Sequence, residues 1–372
     1  MSGMDNNKTK KLRNSNLELY RIISMMMIVA HHYVVNSGLT GEGGPLLTDF
    51  TSDKSLFLTV FGAWGKTGIN CFLMITGYYM CLQKITLRKF LKLIGQVYFY
   101  RIIIYFIFLI AGYETISVRR IIQLSMPDWG FTANNFVSCF IAFWLTIPFL
   151  SILVQNMSKK QHELLLLLLL GCYTLLGSVP TFYISFNYIT WFGVLFFIAS
   201  YIRLYPNKVF NNTQLWGYMT LLCVALGVAS ILGLRVFVGS GISTSYHFVS
   251  DSNKFFAVSI AFCSFLWFKN LNINYNKVIN TFGAGTFGVL LIHANSDVMR
   301  AWLWKDTVDV VGHYSLPFPA LVLYSLGVVI AIFIVCNLLD QIRIVTIEKR
   351  FFNWYDSKVS VKANSFVNKF IK

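Results

Sequence analysis

Acidic residues are scarce in this chain. It has 15 Asp and Glu against 31 Lys and Arg in 372 residues, and the four types together make only 12% of the sequence. Some stretches have no formal charge at all: residues 22–38 lack one, and so do residues 164–202, a run of 39. A soluble domain of this length needs a solvated charged surface. Hydrophobic residues at 56% and a mean hydropathy of +0.61 indicate a polytopic membrane protein instead. The seven cysteines (71, 81, 139, 172, 223, 263, 336) show no Cys-x-x-Cys spacing. They sit in or beside apolar runs and read as small membrane-buried residues, which argues against a disulfide framework or a thiolate metal centre. No Walker loop, Gly-x-Ser-x-Gly elbow or zinc pattern appears, so no metal is expected. Gly-rich linkers, soluble blocks and internal repeats are also missing.

The net charge is +16. Such a balance can mark a nucleic-acid partner, but here the basic residues crowd short connections between apolar runs. That is the positive-inside pattern, so no nucleic-acid partner is expected. Ten spans are predicted, near 17–37, 58–82, 93–112, 136–156, two either side of Ser178-Val179-Pro180 within 164–202, 214–235, 254–268, 279–296 and 317–339. Basic residues favour alternate connections: the arm before Arg21, residues 84–92, Lys159 and Lys160, Arg203 and Lys208, Lys269 and Lys277, and the tail. The expected fold is all-α, a membrane bundle of about ten transmembrane helices with both termini inside. Residues 1–16 form a cytoplasmic basic arm, 17–340 the transmembrane domain and 341–372 a basic tail, with 113–135 as a longer outer segment holding Glu114, Asp128 and Trp129.

The first span, NLELYRIISMMMIVAHHYVVNSG (16–38), concentrates the chemistry. Eleven residues at about 100° each bring His32 to within roughly 20° of Arg21, about 16 Å along the axis. His31 is rotated off that face by about 80°, and Glu18 lies within i,i+3 reach of Arg21. Two readings stand for each. Arg21 is either an interface anchor or a ligand-binding group. A membrane histidine either bonds a neighbouring helix or does chemistry. Arg101, well inside the third span, requires a carboxylate, a polar backbone or a ligand. Arg88, Lys89 and Lys92 are either topology anchors or a patch for an anionic ligand. His293 follows a Gly-rich stretch that permits close helix approach, and is either a satisfied structural group or a second cavity residue. His162 and His247 are expected in loops and carry no weight.

The sequence resembles the acyltransferase-3 family of integral-membrane O-acyltransferases. LELYRIISMMMIVAHHY (17–33) resembles the family's first helix, an Arg followed after ten residues by a His, here Arg21 and His32. GINCFLMITGYYM (68–80) resembles its second-helix signature, with Thr76 in place of the usual Ser. The basic run after span two, FWLTIPFL (143–150) and FGVLLIHANSDVMRAWLW (287–304) resemble further segments. The resemblance implies transfer of an acetyl group from cytoplasmic acetyl-CoA, as co-substrate, to a sugar hydroxyl of a cell-surface polysaccharide or glycolipid at a bacterial plasma membrane. It implies that His32 acts as general base or transient acyl carrier, with Arg21 and Glu18 beside it. Arg21, Arg88, Lys89, Lys92 and Arg101 would hold the anionic donor, and Thr76, Tyr78 and His293 the acceptor. The alternative is a transporter or flippase of a carbohydrate or lipid-linked sugar, which would show paired broken helices. The acceptor sugar, the size of the acyl group and the oligomeric state stay open.

Overall fold

The computed structural model describes residues 13–83, 85–125, 135–239 and 241–359. Most of the basic arm, Lys84, Asp128, Trp129 and the end of the basic tail lie outside them. The described residues form helices and connections without a strand. In chain order the helices are α1 (Ser15–Val35), α2 (Pro45–Thr48), α3 (Asp53–Gly62), α4 (Gly65–Met80), α5 (Leu87–Ile110), α6 (Val118–Ser125), α7 (Phe136–Asn156), α8 (Lys159–Leu170) and α9 (Tyr188–Leu204). They continue as α10 (Thr213–Phe237), α11 (Ile242–Ser245), α12 (Phe255–Asn270), α13 (Lys277–Ala284), α14 (Thr286–His293), α15 (Asp297–Ala301), α16 (Phe318–Arg343) and α17 (Lys349–Lys358). Wider π-helical turns extend α8 over Gly171–Leu176 and α15 over Trp302–Thr307, and join α16 to α17 over Ile344–Glu348.

Asparagine sets many of these boundaries. Asn14, Asn135, Asn187, Asn212 and Asn276 each cap a helix by accepting a backbone N–H in its first turn. Ser158 and Gln161 close a capping box at α8. Among the described residues five segments are long and apolar enough to cross a membrane: Asp53–Met80, Leu87–Ile110, Phe136–Asn156, Thr213–Phe237 and Phe318–Lys358. α9 and α12 are apolar but shorter.

Four expectations change. The second span is two helices, broken at Ala63-Trp64, and the ninth is broken at Gly285. The last span runs past residue 340 through a π turn into α17. His162 is not in a loop; it is buried on α8, with Nε2 3.0 Å from the Phe197 carbonyl.

α1 is the hub. It packs on α3, α4, α12, α13, α14 and α16. In a bilayer, apolar side chains gain little by leaving lipid for protein, so helices hold together by close approach and polar contacts. Gly68 supplies the approach to α4: a Cβ there would stand 2.7 Å from the Ser24 carbonyl of α1. Ser15 and Asn16 supply the polar contacts. Their side chains accept the backbone N–H groups of Asn276 and Ile273, tying the start of α1 to the connection before α13. α5 and α16 are joined at a buried carboxylate, Asp340, which accepts from Tyr100 Oη at 2.8 Å, Gln96 Nε2 at 3.2 Å and Arg343 Nε at 2.7 Å.

Candidate active site

One face of α1 carries the charged and imidazole groups in a line. Near its start Glu18 is 5% exposed, and its Oε1 accepts from Arg21 Nη1 at 2.9 Å and Arg13 Nη1 at 3.3 Å. α13 comes close enough that a Cβ on Gly283 would lie 2.5 Å from Glu18 Oε2. Near the other end of α1, His32 Nδ1 lies 2.9 Å from His293 Nε2, and His293 Nδ1 lies 2.6 Å from the carbonyl of Val289. A carbonyl only accepts, so Nδ1 of His293 carries a proton. In its neutral form, Nε2 of His293 must then accept, and Nδ1 of His32 donates to it. This leaves Nε2 of His32 as its unprotonated nitrogen. His293 is fully buried, whereas His32 is half-buried.

His31 goes elsewhere. Its Nδ1 donates to the Gly62 carbonyl at 2.6 Å, at the break between α3 and α4. The ring fills the space over Gly65, where a Cβ would come within 2.3 Å of His31 Cγ. A side chain at residue 65 therefore cannot coexist with the imidazole as placed.

His32 lines a cavity of about 440 Å³. Lys66, Arg101 and Arg300 line it too, with Asn135, Asn295 and Tyr188 and a set of aliphatic residues. No carboxylate is among the described lining residues. Lys66 Nζ donates to Tyr188 Oη at 2.6 Å and pairs with Asp251 at 3.5 Å, and Arg300 pairs with Asp297 at 2.5 Å. Lys66 and Arg300 escaped the sequence reading of the site. Their signals were a lysine inside the apolar run 53–80 and an arginine seven residues after His293. The chain has two His-x-x-x-Asp spacings, His247–Asp251 and His293–Asp297, against the expectation that none occurs, and neither forms a His–carboxylate pair. His247 bonds the Ser178 carbonyl at 3.0 Å while Asp251 faces Lys66, and Asp297 faces Arg300.

The other candidates stand apart from His32. Arg88, Lys89 and Lys92 begin α5, and Arg88 is thirteen residues from Arg101, about 20 Å along the helix. Arg88 Nε reaches Asp356 at 3.1 Å with its guanidinium 4.7 Å from the Phe352 ring centre, Lys92 Nζ reaches Glu348 at 2.5 Å, and Lys89 Nζ reaches Gln83 at 2.8 Å. The five residues expected to share one donor site are thus divided, with Arg101 at the cavity, Arg21 against Glu18 on α1, and Arg88, Lys89 and Lys92 against the C-terminal helix or the preceding turn. Thr76 is not among the cavity residues; its hydroxyl donates back to the Phe72 carbonyl at 3.2 Å. Tyr78 is also outside the cavity, and its Oη accepts from Arg203 Nη1 at 3.0 Å. Of the three acceptor candidates, only His293 meets His32. No group of three or more His, Cys, Asp and Glu that could hold a metal occurs among the described residues.

A bundle of apolar helices around a polar cavity with an oriented histidine defines a multi-pass membrane protein with an internal site. The chain belongs to the acyltransferase-3 family: the family model, described as an acyltransferase domain, matches residues 14–337. The match starts at the cap of α1 and ends inside α16, so it includes every residue of the cavity and excludes α17. No curated protein and no solved structure matches the chain. Membership makes the chain a membrane acyltransferase at the level of the family.

Proposed function

We propose that this protein is an O-acetyltransferase that moves an acetyl group from cytoplasmic acetyl-CoA to a sugar hydroxyl of a surface carbohydrate. The bundle crosses a bacterial plasma membrane ten times with both ends inside. The observation that carries the reading is the chain from His32 through His293 to the Val289 carbonyl, which leaves a basic nitrogen at a cavity.

In this reading Arg21, held by Glu18, lies at the inner end of α1, with Arg203 beside Tyr78 on the same flank of the bundle. Both suit the phosphates of an anionic donor. The pantetheine arm runs outward along α1 toward His32, about 16 Å away. The acceptor hydroxyl enters the cavity from the other side. His32 Nε2 removes its proton as the oxygen attacks the thioester carbonyl. The carbon–sulfur bond breaks, and the imidazolium returns the proton to the departing thiolate. His293 accepts from Nδ1 throughout and so steadies the ring as it gains charge. Lys66, Arg101 and Arg300 make the cavity electropositive, which favours the oxyanion of the tetrahedral intermediate.

Transport is the weaker reading. The helix breaks it would require are present at Ala63-Trp64 and Gly285, but each has a local purpose. The first exposes the Gly62 carbonyl to His31, and the second lets α14 approach Asn337. The test compares the O-acetyl content of surface polysaccharide by NMR in cells with and without the chain. Acetate that depends on the chain supports transfer. Unchanged acetate, with altered movement of the carbohydrate across the membrane, supports transport.

A further inference from the structure

Three hollows of this protein adjoin one another in series. The His32 cavity shares Arg101, Asn135, Asn295 and Arg300 with a second, polar hollow of about 220 Å³, to which Arg120, Glu114 and Asp297 also contribute. That second hollow shares Ile104 and Phe108 with an apolar groove of about 620 Å³ between α5 and α16. The same two segments build both kinds of lining. On α5, Arg101 faces the polar side while Ile103 and Ile107 face the groove. On the stretch from Asp297, Arg300 faces the polar side while Met299 and Leu303 face the groove.

Resting on the acyltransfer reading above, we propose that the acceptor is a membrane lipid that carries its saccharide through a phosphate. The lipid chain lies in the groove, the phosphate at Arg101 and Arg300, and the sugar beside His32. The groove has the right extent. From Ala331 to Ile347 it follows the helix for about 24 Å, close to the ~30 Å hydrocarbon depth of a bilayer. It is also open on its bilayer flank, where Ile107 is 56% exposed and Val335 55%. Charge agrees with a phosphate. Among the described residues the first cavity is lined by three cations and no carboxylate, and the second by Arg101, Arg120 and Arg300, of which Arg120 pairs with Glu114 and Arg300 with Asp297. A water-borne polysaccharide gives no reason for an apolar groove beside the polar hollows, and a phosphate at the arginines would add an anion to those they already pair with.

The test uses the full chain in detergent with a hexadecyl phosphate whose tail carries a photoreactive diazirine. Crosslinks are expected in the peptides spanning 99–111 and 331–347. Unlabelled hexadecyl phosphate should compete, while hexadecanol and inorganic phosphate should each compete at least about tenfold more weakly. Arg300→Gln should weaken that competition about tenfold. Val335→Trp, on the exposed flank where it disturbs no packing, should remove the crosslink. Acetyl-CoA is titrated on the same preparations. Equal competition by hexadecanol, or crosslinks elsewhere, with normal acetyl-CoA binding would overturn this inference alone. Absent acetyl-CoA binding with the expected crosslinks would overturn the acetyl-transfer reading instead.

Discussion

The two ends of α5 carry cations in different settings. At the start, Arg88 and Lys92 are matched one for one by Asp356 and Glu348, and the product of the pairing is a docked C-terminal segment. Thirteen residues on, Arg101 joins Lys66 and Arg300 around a hollow that no described carboxylate lines, the partners of Lys66 and Arg300, Asp251 and Asp297, standing outside its wall. Both groups look alike in the sequence, as basic residues on or beside an apolar run. What separates them is what the rest of the chain brings to meet them: α17 in one case, a cavity and a histidine pair in the other.

That difference can be broken from either side. The largest effect is expected at the cavity. His32→Ala in the purified protein should slow acceptor-dependent release of CoA by roughly 10²–10⁴-fold, the usual contribution of a general base. A thiol assay at matched protein concentration measures it. Next comes His293→Ala, which leaves the ring of His32 without its partner. Loss of about 10²-fold is expected from misorientation, with acetyl-CoA binding unchanged in a titration. Gly65→Leu acts on the fold rather than the chemistry. Its side chain displaces the ring of His31, and overpacking of about 1–3 kcal/mol should lower the protein's melting temperature and its accumulation in the membrane. The smallest effect belongs to the other end of α5. Arg88→Ala with Lys92→Ala removes partly exposed pairs worth about 0–1 kcal/mol each. Proteolysis of α17 should quicken while acetyl-CoA affinity holds. A large fall in that affinity would return the two residues to the donor site.

Much of this architecture is legible locally. Helix starts follow from asparagine caps, which act within three residues. The phase of α1 follows from helical periodicity, which sends His31 and His32 to different neighbours, Gly62 and His293. The Gly-rich ninth span signals close approach, and Gly288 does lie against Asp340. Local rules stop at contacts made across the chain. His32 and His293 are 261 residues apart, and neither shows in sequence that it fixes the tautomer of the other. The break at Gly285 depends on Asn337 and Gln341 lying opposite. Lys66 is held at the cavity wall by Tyr188 and Asp251, partners 122 and 185 residues away. His162 looks like a loop residue because Lys159 and Lys160 precede it, yet Ser158 starts the helix early enough to bury it.

The central claim is that His32, and not its neighbour, holds the reactive nitrogen. The direct measurement is the acetate content of surface carbohydrate, by NMR, in cells producing His31→Ala or His32→Ala at equal membrane levels. The account predicts no acetate above background with His32→Ala and substantial acetate with His31→Ala, since His31 donates to the Gly62 carbonyl and does not line the cavity. Full acetylation with His32→Ala would contradict it.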